Sequence, residues 1–186
     1  MGTFFKLLFQ LILSPSQGWQ DVSHDAVEPR RLASSGFYPL IALAAVVFFL
    51  QGIYHPGLLS FGMMFQEAIV IFVQYFLSYY FAQFVFSCFI HRYVMTDPSE
   101  KHNCTYILFG LSLLALASLV ENCLPIYLPV RQFFAIYIAI VLWRGVRYMA
   151  VYPEKVGHFM LMSIGAILLP PFIINFLFNI IIGLPA

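Results

Sequence analysis

The sequence predicts an all-α fold, a polytopic bundle of five transmembrane helices preceded by interfacial amphipathic helices. Composition is the first observation behind this fold class. Hydrophobic residues make up 62% of the 186 residues and charged residues only 9%, whereas soluble domains are about half apolar and about a quarter charged. So few charges cannot cover a water-facing surface, and the remaining surface must therefore face lipid. The lengths of the apolar segments and the placement of the charges are the other two observations.

Residues 1–36 are predicted to form short helices at the cytoplasmic surface, separate from the transmembrane domain of residues 37–186. The apolar residues of the first dozen positions approximate helical spacing, and Ser14-Pro15 ends that run. A second short helix is expected to begin near Ser16 and to carry Trp19. Such helices commonly lie in the plane of the headgroups. The polar stretch 21–35 is expected to link them to the first span.

Five segments are long enough to supply the roughly 20 apolar residues that cross about 30 Å of hydrocarbon. In the fourth, charged residues flank the apolar centre at both ends, because Arg131 precedes it and Arg144 and Arg147 follow it. Long arginine side chains near helix ends can extend to the headgroups, so this segment is also predicted to span. The predicted spans are residues 37–54, 66–91, 105–124, 132–151 and 159–182.

The distribution of positive charge predicts the orientation of these spans. With five crossings, the N-terminal segment shares one side of the membrane with the loops 92–104 and 144–158. Cytoplasmic loops carry an excess of lysine and arginine, which predicts a cytoplasmic N-terminus and an outside C-terminus. The opposite side holds Arg131 alone. The cytoplasmic side holds Lys6, Arg30, Arg31, Arg92, Lys101, Arg144, Arg147 and Lys155.

Three ionisable residues are expected to lie together at the outer ends of the helices. Glu67 and Glu121 belong to the outer ends of the second and third spans, and Arg131 starts the fourth. An unpaired charge at mid-bilayer costs about 2.5–3.5 kcal/mol. We favour a structural cluster of capping and pairing groups, with a substrate or ion gate as the alternative.

Asn175 and Asn179 lie one helical turn apart in the last span, just after Pro170-Pro171. The two prolines are expected to kink this span. Amide side chains can also hydrogen-bond one helix to another. Helix packing is the favoured interpretation, and a polar cavity for a lipid or a small solute is the alternative.

Arg144 and Arg147 are three residues apart and are predicted to share a helix face at the cytoplasmic boundary. They are candidates for contact with anionic lipid headgroups or with a partner protein, and so is Trp19. The alternative is that these arginines pair with acidic residues of the same side. Those acidic residues are Asp97, Glu100 and Glu154.

Catalytic, cofactor and metal sites are not expected. Cys88, Cys104 and Cys123 have no paired spacing, which argues against a disulfide framework or a zinc site. No hydrolase, metalloprotease or phosphate-binding motif is found in the sequence. The net charge of +1 excludes a strongly basic nucleic-acid footprint. The expected partners are membrane lipids and other membrane proteins, in hetero- or homo-oligomers.

Two stretches resemble the Yip-domain family, the Ypt-interacting-protein-like membrane proteins. The first is Leu13-Ser-Pro-Ser-Gln-Gly-Trp19-Gln-Asp-Val22. The second, within residues 134–178, contains Arg144-Gly-Val-Arg147 and then Val151-Tyr-Pro-Glu-Lys155 before a last apolar span. The chain looks most like compact bacterial members, since it lacks the long cytosolic N-terminal region of eukaryotic ones.

The five predicted spans and the cytoplasmic N-terminus add to this resemblance. It implies a polytopic membrane protein without known enzymatic activity, in a bacterial inner membrane. Eukaryotic relatives act in vesicle trafficking by binding small GTPases and one another. The missing cytosolic region argues against carrying GTPase binding over to this chain. The sequence therefore favours a non-enzymatic scaffold or accessory subunit of a membrane assembly, with a carrier or scramblase for a lipid or small solute as the alternative.

Overall fold

The computed structural model describes residues 2–25, 27–57, 60–95, 99–126 and 128–182. Within these ranges the backbone is helical apart from turns and one isolated bridge, which confirms the all-α fold class. The helices are α1 (Gly2–Leu13), α2 (Pro15–Asp25), α3 (Pro29–Tyr54), α4 (Phe61–Arg92), α5 (Glu100–Cys123), α6 (Val130–Arg144) and α7 (Pro153–Ile181).

Four of these helices, α3, α4, α5 and α7, are long and apolar enough to cross a membrane. This is the architecture of a multi-pass membrane protein. The 32 residues of α4 give a length of about 48 Å at about 1.5 Å per residue. Because this exceeds the hydrocarbon thickness of about 30 Å, a membrane-spanning α4 must tilt or protrude.

Local chemistry sets several of the helix boundaries. Pro29 occupies the first turn of α3, where its missing N–H costs nothing. Ser60 caps the start of α4, and its hydroxyl accepts a 3.2 Å hydrogen bond from the Met63 N–H. Helix α7 continues through Pro170-Pro171, with a wide π turn over Ile164–Leu168 immediately before them. Prolines and π turns are established sites of helix distortion.

Helix α5 is the centre of the bundle and the most thoroughly buried of the long helices. Helices α3, α4 and α6 pack around it, and the π turn of α7 closes the remaining side. Gly110 marks the closest approach, since a Cβ there would lie 2.9 Å from the Ile167 side chain and 3.2 Å from that of Leu142. A small residue at this position lets α6 and α7 reach the α5 backbone.

The loops that follow α4 and α6 pair with each other. Val94 and Val151 form an antiparallel bridge. On either side of it, the Met95 N–H donates to the Ala150 carbonyl and the Tyr152 N–H to the Tyr93 carbonyl, both at 2.9 Å. We call this the bridge end of the bundle, and we call the opposite end, which carries Glu121 and Arg131, the far end.

Two predicted boundaries are wrong. Helix α6 ends at Arg144, and residues 145–150 form turns, so Arg147 does not share a helix face with Arg144 and the segment 132–151 is not one helix. The stretch 21–35, predicted as a link to the first span, is helical over most of its length. Helix α2 extends to Asp25 and α3 begins at Pro29, which puts the predicted domain boundary at residue 36 inside a continuous helix.

Helices α1 and α2 exist as predicted, with the break at Ser14-Pro15. Helix α1 nevertheless packs against the bundle with its apolar face. Phe4 is fully buried and stacks on Phe109 of α5, with 5.7 Å between the ring centroids. Its ring also lies so close to Gly36 that a side chain there would overlap it. The face of α1 formed by Phe4, Leu7, Leu8 and Leu11 is therefore covered by protein.

Candidate functional site

The far end brings together Glu121, Arg131 and Glu67, the three charged residues singled out from the sequence. Glu121 Oε2 and Arg131 Nε are 4.0 Å apart, and Glu67 lies within electrostatic range of the same guanidinium. The Arg131 Cζ also lies 5.0 Å from the centroid of the Phe172 ring, a cation–π distance. This cluster joins α4, α5, α6 and α7.

The geometry of the cluster is that of a loose ion pair. The Arg131 and Glu121 side chains are 17% and 27% exposed, and the Arg131 Nε has no hydrogen-bond partner in the described ranges. Partly exposed pairs at such distances contribute about 0–1 kcal/mol. The arrangement fits a structural contact between helix ends better than a tightly formed gate.

Asn175 and Asn179 bond to each other along α7. The Asn179 Nδ2 donates to the Asn175 Oδ1 at 3.3 Å, a hydrogen bond within one helix. Among the described residues, the predicted hydrogen bond from this pair to a second helix is not found. The Asn179 Oδ1 is buried and has no partner among the described atoms. The Asn179 Oδ1 can therefore accept a hydrogen bond from a donor outside the described residues.

Gln74 was missed from the sequence, although it is one of the fully enclosed polar side chains of the bundle. It lies at the middle of α4 with no exposed surface, and neither its Nε2 nor its Oε1 has a partner in the described structure. Its backbone carbonyl accepts a 2.5 Å hydrogen bond from the Ser78 hydroxyl. A buried amide normally finds partners, so a polar side chain inside a long apolar run was the signal to examine.

A second missed group fastens α3 to the end of α5. Gln51 Nε2 donates to the carbonyls of Asn122 and Leu124 at 3.2 and 3.1 Å, and the Tyr54 hydroxyl donates to the Cys123 carbonyl. In return, Asn122 Nδ2 donates to the Ala44 carbonyl at 3.3 Å. The last carbonyls of a helix lack intrahelical donors, and α3 supplies them here.

Trp19 anchors the N-terminal helices at the bridge end. Its indole Nε1 donates a 2.8 Å hydrogen bond to the Val141 carbonyl of α6. The ring lies against Tyr106 and Tyr148, with centroid separations of 5.3 and 5.2 Å. Only 3% of Trp19 is exposed, so it is enclosed by protein. This burial differs from the expected contact with lipid headgroups or a partner protein.

Gly145 makes room for that indole. A Cβ at Gly145 would lie 2.7 Å from both Trp19 and Tyr106. The Tyr106 hydroxyl meanwhile donates to the Leu142 carbonyl at 2.9 Å, and the Tyr137 hydroxyl donates to the Ile12 carbonyl. The aromatic residues thus bind α1, α2, α5 and α6 together around one glycine.

Arg144 and Arg147 are both exposed at the bridge end. No ion pair joins either arginine to Glu100 or Glu154 within the described ranges, and Asp97, the third predicted partner, lies outside them. Within the described residues these two cations have no acidic partner, and their exposed positions leave them accessible to an anionic group on another molecule.

Comparison with known proteins finds no matching family model, no matching curated protein and no matching solved structure. The resemblance to the Yip-domain family therefore stays a hypothesis. Over the part of the chain that the structure covers, no three His, Cys, Asp or Glu residues are grouped as metal ligands. The features on which a function can be argued are the interhelical hydrogen bonds, the unpartnered Gln74 and the exposed cations of the bridge end.

Proposed function

We propose that this chain is a non-enzymatic membrane protein that acts through contacts with other membrane proteins, as a scaffold or accessory subunit. The use of its buried polar side chains carries the proposal. Trp19, Tyr106 and Asn122 each donate to a backbone carbonyl of a neighbouring helix, and so do Gln51 and Tyr75. These hydrogen bonds hold the helices in fixed positions relative to one another. A rigid bundle of this kind supports a role in binding partner proteins through its surface.

Five crossings are part of this proposal, with α6 as the fourth. The pairing of the loops after α4 and α6 supports it, because a chain that leaves the bridge end along α5 must return there along α6. Contacts at both ends agree: Glu121 meets Arg131 at the far end, and Tyr106 meets Leu142 near the bridge end. Helix α6 has 15 residues and a length of about 22 Å, a mismatch that terminal arginines can relieve.

Charge supports the orientation. Eight of the nine lysines and arginines lie on the side of the bridge end in this topology. The positive-inside rule then gives a cytoplasmic N-terminus and an outside C-terminus. The resemblance to Yip-domain proteins implies the same non-enzymatic class, in a bacterial inner membrane.

The partner surface is proposed around the exposed Trp143, Arg144 and Arg147. A photo-crosslinking amino acid in place of Trp143 or Arg147 should capture the same discrete protein in native membranes, and the Arg144→Gln/Arg147→Gln variant should lose it. The matched control is the same probe in place of Phe176, which is 64% exposed on α7. Lipid adducts alone at all three positions would contradict the scaffold proposal.

A carrier or scramblase is the second candidate, and the unpartnered amide of Gln74 is the observation that favours it. A polar path would use Gln74 with Asn175 and Asn179 on α7. Lipid scrambling or solute flux in proteoliposomes should then fall in Gln74→Leu and Asn179→Leu. Transport that survives both substitutions, or no transport by the wild-type protein, removes this candidate.

A further inference from the structure

An open apolar groove of about 310 Å³ lies between α4 and α7 and reaches the bridge end. Its walls are aromatic and aliphatic, and Phe81 and Phe89 are 49% and 42% exposed. At Gly165 a Cβ would meet no atom within 4 Å, so the groove is open there. The residues that define it are Phe81, Val85, Phe89, Tyr93, Gly165 and Ala166.

The length of the groove matches one leaflet. From Phe81 to Tyr93 the helical chain rises about 18 Å, close to half of the roughly 30 Å hydrocarbon thickness. A partner helix that crosses the bilayer would need a groove of twice this length. An acyl chain of a single leaflet has the matching extent.

Two cations lie at the bridge end of the groove. The Arg92 Cζ is 5.6 Å from the centroid of Phe89, a wall residue, and the Lys155 Nζ donates a 2.7 Å hydrogen bond to the Arg92 carbonyl. Lys155 also lies 5.2 Å from the centroid of the Tyr152 ring. Glu154, the neighbouring acid, forms no ion pair with either cation in the described structure. The hydrogen bond to the Arg92 backbone thus holds the Lys155 ammonium on the residue whose guanidinium lies against the groove wall, and neither cation forms an ion pair with an acidic residue of the described ranges.

We infer that this groove binds one anionic phospholipid. Its acyl chain lies along the wall from Phe81 to Tyr93, and its phosphate is bound by Arg92 and Lys155. The apolar wall excludes water from the chain, while the paired cations distinguish a negatively charged headgroup from a zwitterionic one. This site is separate from Trp143, Arg144 and Arg147, on which the scaffold proposal depends.

Native mass spectrometry of the purified full chain, with equal amounts of phosphatidylglycerol and phosphatidylcholine, tests this inference. The wild-type protein should retain phosphatidylglycerol in preference. Each basic residue near an anionic surface contributes about 1 kcal/mol, so Arg92→Gln/Lys155→Gln should weaken that preference about 25-fold. Gly165→Phe, which directs a ring into the groove, should reduce the retention of both lipids.

Arg30→Gln/Arg31→Gln is the matched control, because it removes two exposed cations from α3. It should leave the preference unchanged. An equal loss in both charge variants, or no preference in the wild-type protein, overturns the inference. A photo-crosslinker in place of Val85 should yield lipid adducts, and capture there of a second copy or of another protein would also overturn it. These readouts are independent of the protein adducts expected at Trp143 and Arg147.

Discussion

The indole nitrogen of Trp19 donates a 2.8 Å hydrogen bond to the Val141 carbonyl, across 122 positions of the chain. This bond ties the N-terminal helices to α6 inside the protein, where neither group has water as an alternative partner. The same ring contacts Tyr106 of α5 and Tyr148 of the following turn. Trp19 thus attaches the N-terminal helices to the bundle.

Trp19→Phe should lower the free energy of unfolding by about 1–3 kcal/mol, since it removes the hydrogen bond and leaves a small cavity. Thermal or denaturant unfolding in detergent micelles measures this change. Trp143→Phe is the control, because Trp143 is 63% exposed, and it should change stability by at most about 0.5 kcal/mol. Equal effects of the two substitutions would contradict the anchoring role of Trp19.

Gly145→Ala should also destabilise the protein, by about 1–3 kcal/mol, because the new methyl group would lie 2.7 Å from Trp19 and Tyr106. Gly157→Ala is the matched control, since a Cβ at Gly157 meets nothing within 4 Å. The cost of Gly145→Ala should shrink in a Trp19→Phe background, because the smaller ring leaves room for the methyl group. Additive effects of the two substitutions would show that the glycine and the indole do not share one space.

Hydropathy predicted the C-terminal ends of the four long helices to within one residue, but each helix begins five to eight residues earlier than predicted. A run of about 20 apolar residues marks the part of a helix that can lie in hydrocarbon, and the helix itself can extend beyond that run. The end of α6 was not predictable in this way. Residues 145–150 contain apolar side chains like those of the helix, and their turn is set by pairing with residues 93–95 and by Ala150 at a φ of 49°. Long-range pairing of this kind leaves no mark on local hydropathy.

The packing of α1 against the bundle could not be predicted from the sequence for a related reason. An amphipathic pattern shows that one face of a helix is apolar, but lipid and protein interior are both apolar environments. Gly36 of α3 has no side chain, so the Phe4 ring can lie against its backbone. This contact places the Phe4 face of α1 against protein. The outer charged cluster, in contrast, was predictable, because ionisable residues at the ends of neighbouring spans share one interface.

Gln74→Leu and Gln51→Leu should change stability in opposite directions. Gln74 is buried with an unpartnered amide, so its replacement by an apolar side chain of similar size should raise the free energy of unfolding by about 1–3 kcal/mol. Gln51 donates two hydrogen bonds to the end of α5, and its loss should lower that energy by a similar amount.

Unfolding of both glutamine variants in the same detergent gives the comparison. A loss of stability in Gln74→Leu would mean that the amide has a partner such as a bound water. In that case the polar path of the carrier hypothesis gains support. A gain of stability would instead indicate a dry, packed interior.

The topology of α6 can be tested by labelling single cysteines in intact cells after Cys88, Cys104 and Cys123 are replaced. If α6 crosses the membrane, Leu128→Cys at the far end should react with an impermeant maleimide from outside, and Glu154→Cys should react only after permeabilisation. The physical reason is that the loops after α4 and α6 are paired, so α5 and α6 run between the same two ends of the bundle.

A reporter fused after Ala186 provides the second measurement for this topology. Five crossings put the two termini on opposite sides, so the reporter should be active outside the cytoplasm. Glu28→Cys, at the start of α3, is the internal control and should share the protection of Glu154→Cys. Matching accessibility of Leu128→Cys and Glu154→Cys, together with a cytoplasmic reporter, would rule out α6 as a crossing. The charge partition would then have to be explained by four spans, which separate these lysines and arginines far less cleanly.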